Sequence, residues 1–268
     1  MASPLGLDLR DGARLRFSWA LGVSAGARGV TQAAYEIEVA AAGSGALLWG
    51  SGKVASNASS FVAAPEGVAL APETAYGFGV RWWDDGAAAP SAWANGTFSS
   101  GLLSPDGTLA WGGAEWIGAP PKAPGPGLLE PGTWLRATFA LPSAAPLARA
   151  ALHVAGAGWY ACTLDGARID DHVMGATTTF WNRLYYETYD VAPLLRERGG
   201  GARRGGGGDT HVLACALAKG WWGHEGNSIG ATMCAAGAQG CPPALRALLT
   251  LAHADLSLIH ISEPTRPY

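Results

Sequence analysis

At 268 residues the chain is longer than most single domains, so we expect two domains, each with its own hydrophobic core. A formal net charge of −3, with only 15% charged residues, excludes the basic surface that binds nucleic acid or an anionic membrane. The 12 tryptophans and a hydrophobic share of 49% exclude a disordered polymer.

The N-terminus carries no sign of export. Residues 1–8 lack a basic start followed by a long apolar run, and no window of about 18 apolar residues occurs in the chain. The sequence therefore predicts neither a signal peptide nor a transmembrane helix. The cellular location stays unassigned, with the cytoplasm as the default expectation.

The stretch from residue 4 to residue 100 consists of short runs in which apolar and polar residues alternate. The clearest runs are 15–19, 34–39 and 76–82. A period of two is typical of half-buried strands, and clusters of Gly, Pro, Ser and Asn separate the runs at the spacing of an antiparallel sandwich. The sequence predicts an all-β domain over 4–100 that resembles a fibronectin type III or immunoglobulin sandwich.

The amino-acid composition of the chain changes after residue 100. Residues 101–133 are predicted to form a linker with a proline-rich loop, because proline cannot donate to a central strand. New strand-like runs then follow and predict a second β-sandwich, a jelly roll, over 134–255. A single short helical turn is predicted at 191–196. The predicted strands of the jelly roll are 134–139, 149–154, 159–164, 184–189 and 211–217.

Four cysteines lie in the second half of the chain: Cys162, Cys215, Cys234 and Cys241. They are too few and too irregularly spaced for a disulfide scaffold or a paired-cysteine zinc site. Buried free thiols are the favoured interpretation. A Cys234–Cys241 bridge in an oxidising compartment is the alternative, and the sequence leaves it open.

The order of these motifs resembles the N-terminal region of the bacterial-type α-L-rhamnosidases, a glycoside hydrolase family. The resemblance rests on residues 4–8, 15–19, 32–37, 48–54, 76–83, 93 and 98–102, then 115–118, and then 153–154, 159–166, 185–191 and 219–222. It implies a fibronectin-like domain and a jelly roll that precede a large (α/α)6 barrel, and the barrel carries the catalysis.

The resemblance implies no catalytic residue within this chain. Inverting glycosidases use a carboxylic acid and a carboxylate roughly 6.5–9.5 Å apart, and the family's pair has no matching positions here. The acidic pairs Asp84-Asp85 and Asp170-Asp171 follow strands at predicted turns, so we interpret them as solvated turn carboxylates.

The last residues, 256–268, match no part of the family. They resemble the translation of a sequencing adapter, and we interpret them as a non-native tail. The sequence therefore predicts a fragment truncated before the catalytic barrel.

A sugar site is predicted at strand ends and loops of the jelly roll. Aromatic faces bind the apolar faces of pyranose rings, and neighbouring polar groups bind the hydroxyls. The candidate residues are Trp181, Asn182, Arg183, Trp221, Trp222 and His224.

The resemblance suggests calcium as a cofactor. Some relatives of this jelly roll resemble calcium-dependent rhamnose-binding modules, and Asn182 falls in the matching segment, but Trp181 precedes it where an acidic ligand is expected. The fallback oxygen ligands are Asp165, Asp170 and Asp171, although such a cluster at a turn is more often solvated.

The leading hypothesis is the non-catalytic N-terminal part of an α-L-rhamnosidase, whose full-length parent would hydrolyse terminal α-L-rhamnosyl residues. Its expected partners are rhamnose-containing glycans and the catalytic barrel of the parent. The alternatives are a stand-alone rhamnose- or glycan-binding module and a structural spacer that docks on the barrel.

Overall fold

The computed structural model describes residues 7–9, 14–23, 25–86, 88–106, 108–118, 132–141, 146–170, 172–173, 175–176, 178, 184–199, 210–220, 222, 242–253 and 258–261. The chain divides into two compact units, Met1–Ala110 and Trp111–Tyr268. Almost all regular structure in the described residues is β-strand, which confirms the all-β prediction. The described residues include no apolar helix of the length needed to cross a membrane.

The first unit is built on an antiparallel sheet with the strand order β3-β2-β5-β6, and β1 pairs separately with β4. The strands are β1 (Arg16–Phe17), β2 (Gln32–Ala41), β3 (Leu47–Gly50), β4 (Val62–Ala63), β5 (Ala75–Asp84) and β6 (Ala94–Ser99). The predicted runs at 15–19, 34–39 and 76–82 fall on β1, β2 and β5.

Alternation along the strands sorts the side chains of this sheet between its two faces. Ile37 and Val39 of β2 are fully buried in the core, together with Tyr76 and Val80 of β5. On the opposite face the guanidinium of Arg81 lies 4.5 Å from the centre of a Trp93 ring and donates through Nε to Glu36 Oε2 at 2.7 Å. Aromatic rings of the first unit therefore pack on both faces of the sheet.

The second unit contains two antiparallel sheets that share one core. The first sheet has the order β11-β10-β13-β8, and the second has the order β12-β9-β14-β15, with β7 also paired to β14. The elements are β7 (Ile117–Gly118), β8 (Thr133–Ala140), β9 (Leu147–Ala157), β10 (Trp159–Leu164), β11 (Ala167–Arg168), β12 (Tyr186–Asp190), α1 (Ala192–Gly199), β13 (Thr210–Ala218), β14 (Ala244–His253) and β15 (Leu258–Ile261).

Side chains from both sheets meet in the core of the second unit. Leu152 and Val154 of β9 face Tyr160 and Leu164 of β10, and each is at most 4% exposed. The predicted helical turn at 191–196 overlaps α1, which begins one residue later and continues to residue 199. The carboxylate of Asp190 caps this helix, because its Oδ1 accepts the backbone N–H of Ala192 at 3.0 Å.

The prediction of free thiols is wrong for Cys162 and Cys215, which form a disulfide. The two residues lie directly opposite each other on β10 and β13, with their Cα atoms 4.1 Å apart, and each is at most 2% exposed. The cause is the strand register, which brings together residues 53 positions apart in sequence. Cys234 and Cys241 lie outside the described residues, so their alternative bridge stays a prediction.

The predicted linker contributes to both units. Leu102 and Leu103 are buried in the first unit, and β7 joins a sheet of the second. Within the predicted tail, β15 pairs with β14. The domain limits 4–100, 101–133, 134–255 and 256–268 stay predictions.

Candidate functional site

The structure describes three of the residues predicted to bind sugar or calcium, namely Trp222, Asp165 and Asp170. The others lie outside the described residues: Trp181, Asn182, Arg183, Trp221, His224 and Asp171.

Trp222 follows the end of β13 in a tight turn. Its backbone N–H donates to the carbonyl of Lys219 at 3.1 Å, and its indole Nε1–H donates to the carbonyl of Pro242 at 3.2 Å. The second bond ties the indole to the chain just before β14. The ring is half-buried, so it combines a fixed orientation with a partly accessible surface.

Asp165 occupies the turn between β10 and β11 with a positive φ of 53°. Its Oδ1 accepts the backbone N–H of Val212 at 2.8 Å, and its Oδ2 lies 2.8 Å from Nδ1 of His211. The side chains of Asp165 and His211 are only 10% and 4% exposed. Both carboxylate oxygens thus join the β10–β11 turn to the start of β13.

Asp170 is not a solvated turn carboxylate, so that prediction is wrong for this residue. Its side chain is 4% exposed, and its Oδ1 accepts a hydrogen bond from Nη2 of Arg168 at 2.6 Å. The same Nη2 donates to the carbonyl of His172. The side chain of Arg168 lies over the turn and takes the place of water as the hydrogen-bond partner of the Asp170 carboxylate.

These contacts make Asp165 and Asp170 poor calcium ligands, because calcium needs six to eight oxygen atoms whose lone pairs face the ion. No group of three or more His, Cys, Asp or Glu side chains within the described ranges could hold a metal ion. The calcium prediction then depends on Asp171 and Asn182, which the structure does not describe.

A tyrosine–carboxylate cluster, formed by Tyr160, Glu187 and Tyr189, lies next to Asp170 in the second unit. The hydroxyls of Tyr160 and Tyr189 both donate to Oε2 of Glu187, the second at 2.8 Å, and the two hydroxyl oxygens are 3.1 Å apart. Tyr160 is 4% exposed. Two phenols therefore stabilise one oxygen of a carboxylate that is partly removed from water.

No role was predicted for this cluster from the sequence. One signal was available, because the period of two along β12 places Glu187 and Tyr189 on the same face of the strand. The third member could not be found in this way, since Tyr160 lies on β10 in the other sheet.

The cluster predicts a loss of stability in alkali. Burial, together with the hydrogen bond to Glu187, raises the pKa of Tyr160 far above its ordinary value of 10.0. Burial is also the main cause that raises the pKa of Tyr189. Below pH 10 both tyrosines are protonated in the folded and unfolded chains, so their stabilisation is complete. Above that pH only the unfolded chain loses these protons, and stability falls as the pH rises.

We expect the free energy of unfolding to fall by about 1.4 kcal/mol per pH unit for each of the two tyrosines. Urea unfolding followed between about pH 9 and about pH 11.5 measures this slope. Tyr160→Phe should remove one tyrosine's share of this slope. Equal slopes for wild type and Tyr160→Phe would contradict the assignment.

Comparison with known proteins relates both units to one family. The family model of the Rha78A-like N-terminal immunoglobulin domain matches residues 1–104, and that of the alpha-L-rhamnosidase N-terminal domain matches residues 145–262. A curated alpha-L-rhamnosidase of Streptomyces avermitilis is 33% identical over 197 residues, which cover 67% of this chain. The matched region spans only 18% of that relative's length.

Two solved structures share the fold of the chain. The alpha-L-rhamnosidase of Dictyoglumus thermophilum has a TM-score of 0.70 at 24% identity, and that of Aspergillus terreus has a TM-score of 0.69 at 23% identity. In both cases the similarity covers 97% of this chain and 27% of the solved one. The two family matches and the curated relative agree on one assignment: the chain belongs to the α-L-rhamnosidase family and carries its N-terminal immunoglobulin domain followed by its N-terminal rhamnosidase domain.

Proposed function

We propose that this chain is the non-catalytic N-terminal part of an α-L-rhamnosidase whose full-length form hydrolyses terminal α-L-rhamnosyl residues. The observation that carries the proposal is the match of the two units, in order, to two N-terminal domains of that family. The matched region spans 18% of the curated relative, which leaves room in the parent for a catalytic (α/α)6 barrel.

The environment of three described carboxylates in the second unit supports a non-catalytic role. Asp165, Asp170 and Glu187 are each held by donors of the protein itself. An inverting glycosidase instead needs two carboxyl groups that face a sugar and a water molecule across roughly 6.5–9.5 Å. A carboxylate whose oxygens already accept hydrogen bonds from the protein is better suited to structural support than to proton transfer.

The purified chain is therefore expected not to hydrolyse 4-nitrophenyl α-L-rhamnopyranoside. The assay follows release of nitrophenolate, with a full-length α-L-rhamnosidase as the positive control. Turnover that increases in proportion to the concentration of the purified chain, and that persists through further purification, would contradict the non-catalytic assignment.

The second part of the proposal is that the jelly roll binds a rhamnose-containing glycan. The proposed contacts are Trp181, Asn182, Arg183, Trp221, Trp222 and His224. The geometry of Trp222 supports this proposal. The hydrogen bond to Pro242 orients its indole, and part of the ring stays accessible to a ligand. A stand-alone glycan-binding module would use the same contacts, and a structural spacer would use none of them.

We expect Trp222→Ala to weaken binding of L-rhamnose about tenfold, because the stacking surface is lost. Isothermal titration calorimetry, with added calcium and then with a chelator, measures the affinity and its dependence on the ion. The matched control is Trp134→Ala, which removes a tryptophan that is 68% exposed on β8 and has no predicted sugar contact. Absence of heat for the wild type in both conditions would remove the binding proposal and favour the spacer.

A further inference from the structure

The outer face of the sheet β11-β10-β13-β8, which points away from the core of the second unit, carries a groove along β13. Cys215 and Leu217 of β13 are buried in the core, so the residues that alternate with them lie on the outer face. These residues are Ala214, Ala216 and Ala218, of which the first two are partly accessible and the third is exposed. They form the alanine floor of the groove.

Larger side chains on the two neighbouring strands form the sides of the groove. On β8 these are Trp134 and Arg136, and on β10 they are Trp159 and Thr163. The strand register places all four on the outer face, directly opposite residues of the alanine floor. Because adjacent strands are about 4.8 Å apart, the backbones of β8 and β10 lie about 10 Å apart, on either side of the floor.

The β8 side of the groove combines an aromatic ring with a cation. Trp134 is 68% exposed, and Arg136 is also exposed, two residues further along the same face. The two positions are about 7 Å apart along the strand. No ion pair joins Arg136 to another residue in the described ranges. Its guanidinium is therefore directed to solvent beside the tryptophan.

The chemistry of this groove favours a sugar chain over a peptide. The backbone groups of β13 bond to β8 and β10, so the floor offers no partners for the amides of a bound peptide. A pyranose ring instead places an apolar C–H face on alanine or tryptophan and keeps its hydroxyls at the rim. The guanidinium of Arg136 adds the fork of donors that matches a carboxylate.

We propose that this groove binds a glycan that contains uronic acid, with a sugar ring stacked on Trp134 and the carboxylate of a uronate bound by Arg136. Neither residue was predicted from the sequence to contact sugar, and neither belongs to the proposed rhamnose site that includes Trp222. The groove is a second binding site of the same unit, and its ligand differs from rhamnose in carrying a negative charge.

Isothermal titration calorimetry of the whole chain with tetragalacturonate and with tetramannuronate tests the proposal. The fully methyl-esterified form of each oligosaccharide is the matched ligand, because it keeps the rings and removes the charge. We expect an acid to bind about tenfold more tightly than its ester, the scale of one charge-assisted contact. High salt should reduce this difference, because the contact is exposed.

Trp134→Ala and Arg136→Gln should each weaken binding of the acid about tenfold. Both side chains are exposed, so both variants should keep the unfolding midpoint of the wild type. The matched control is Arg16→Gln, which removes an exposed arginine from β1 of the first unit and changes the net charge by the same amount. An equal loss in Arg16→Gln and Arg136→Gln would overturn the proposal, since it would show only general attraction.

Trp222→Ala distinguishes this groove from the proposed rhamnose site. It should leave binding of the acid unchanged, whereas Trp134→Ala should leave binding of L-rhamnose unchanged, so either site can fail without the other. The proposal is overturned if neither acid binds, if the esters bind as tightly as the acids, or if Trp134→Ala keeps the wild-type affinity. Equally tight binding of a polyglutamate peptide, with the same dependence on Arg136, would also overturn it and assign the groove to acidic peptides.

Discussion

Replacing both Cys162 and Cys215 with alanine is expected to lower the free energy of unfolding of the second unit by about 2–4 kcal/mol. The disulfide joins positions 53 residues apart, so it removes a large loop-closure entropy from the unfolded chain. It also links β10 to β13 at the centre of one sheet, where both sulfur-bearing side chains are buried in the core.

Guanidinium unfolding of wild type and the double variant measures this difference. Wild type that has been unfolded, reduced and refolded in reductant is the control, since it keeps both sulfur atoms and lacks only the cross-link. Because each cysteine is at most 2% exposed, reductant without denaturant should leave the bond intact. Free thiols at both positions in a non-reducing peptide map would contradict the prediction, as would equal unfolding midpoints for the double variant and the wild type.

The second large effect is expected for Gly158→Ala at the turn between β9 and β10, with a loss of about 3 kcal/mol in stability. Gly158 has a φ of 109°, which residues with a side chain rarely adopt. A Cβ atom there would lie 2.5 Å from the carbonyl oxygen of Ala218 and 3.1 Å from that of Lys219. Both are backbone atoms, one in the last residue of β13 and one in the residue after it, so neither can rotate away.

A matched control separates the backbone conformation from the steric overlap. Gly166 also has a positive φ, 83°, but a Cβ atom at this position would meet nothing within 4 Å. Gly166→Ala should therefore lower the free energy of unfolding by only about 1 kcal/mol, because it strains the backbone conformation without a steric overlap. Thermal and urea unfolding of the two variants test the difference. Equal losses at both positions would show that contact with the end of β13 has no effect.

The strands most readily predicted from sequence were those whose pattern is local. Alternation identified β2 and β5, because a half-buried strand shows its two faces in consecutive residues. The same period puts Glu187 and Tyr189 on one side of β12, although no role was predicted for either residue. The family resemblance likewise rested on short motifs in a fixed order, which needed no knowledge of how the strands pair.

The contacts between strands were not predicted, because they join residues that are far apart in the sequence. Cys162 was interpreted as a free thiol because its distance in sequence from Cys215 carries no sign of pairing. Asp170 was interpreted as solvated because nothing in an acidic pair shows that Arg168 will fold over it. The role of Tyr160 was also missed, since its partners lie on another sheet and across a turn.

For this protein the sequence alone determined the all-β class, the main strands and membership of the α-L-rhamnosidase family, since each depends on residues close together along the chain. The tertiary structure alone decided the disulfide, the pairing of Asp165 with His211 and the cluster around Glu187. The physical reason is strand register: hydrogen bonds between strands choose which distant residues become neighbours, and a one-residue shift would turn every one of these side chains to the opposite face.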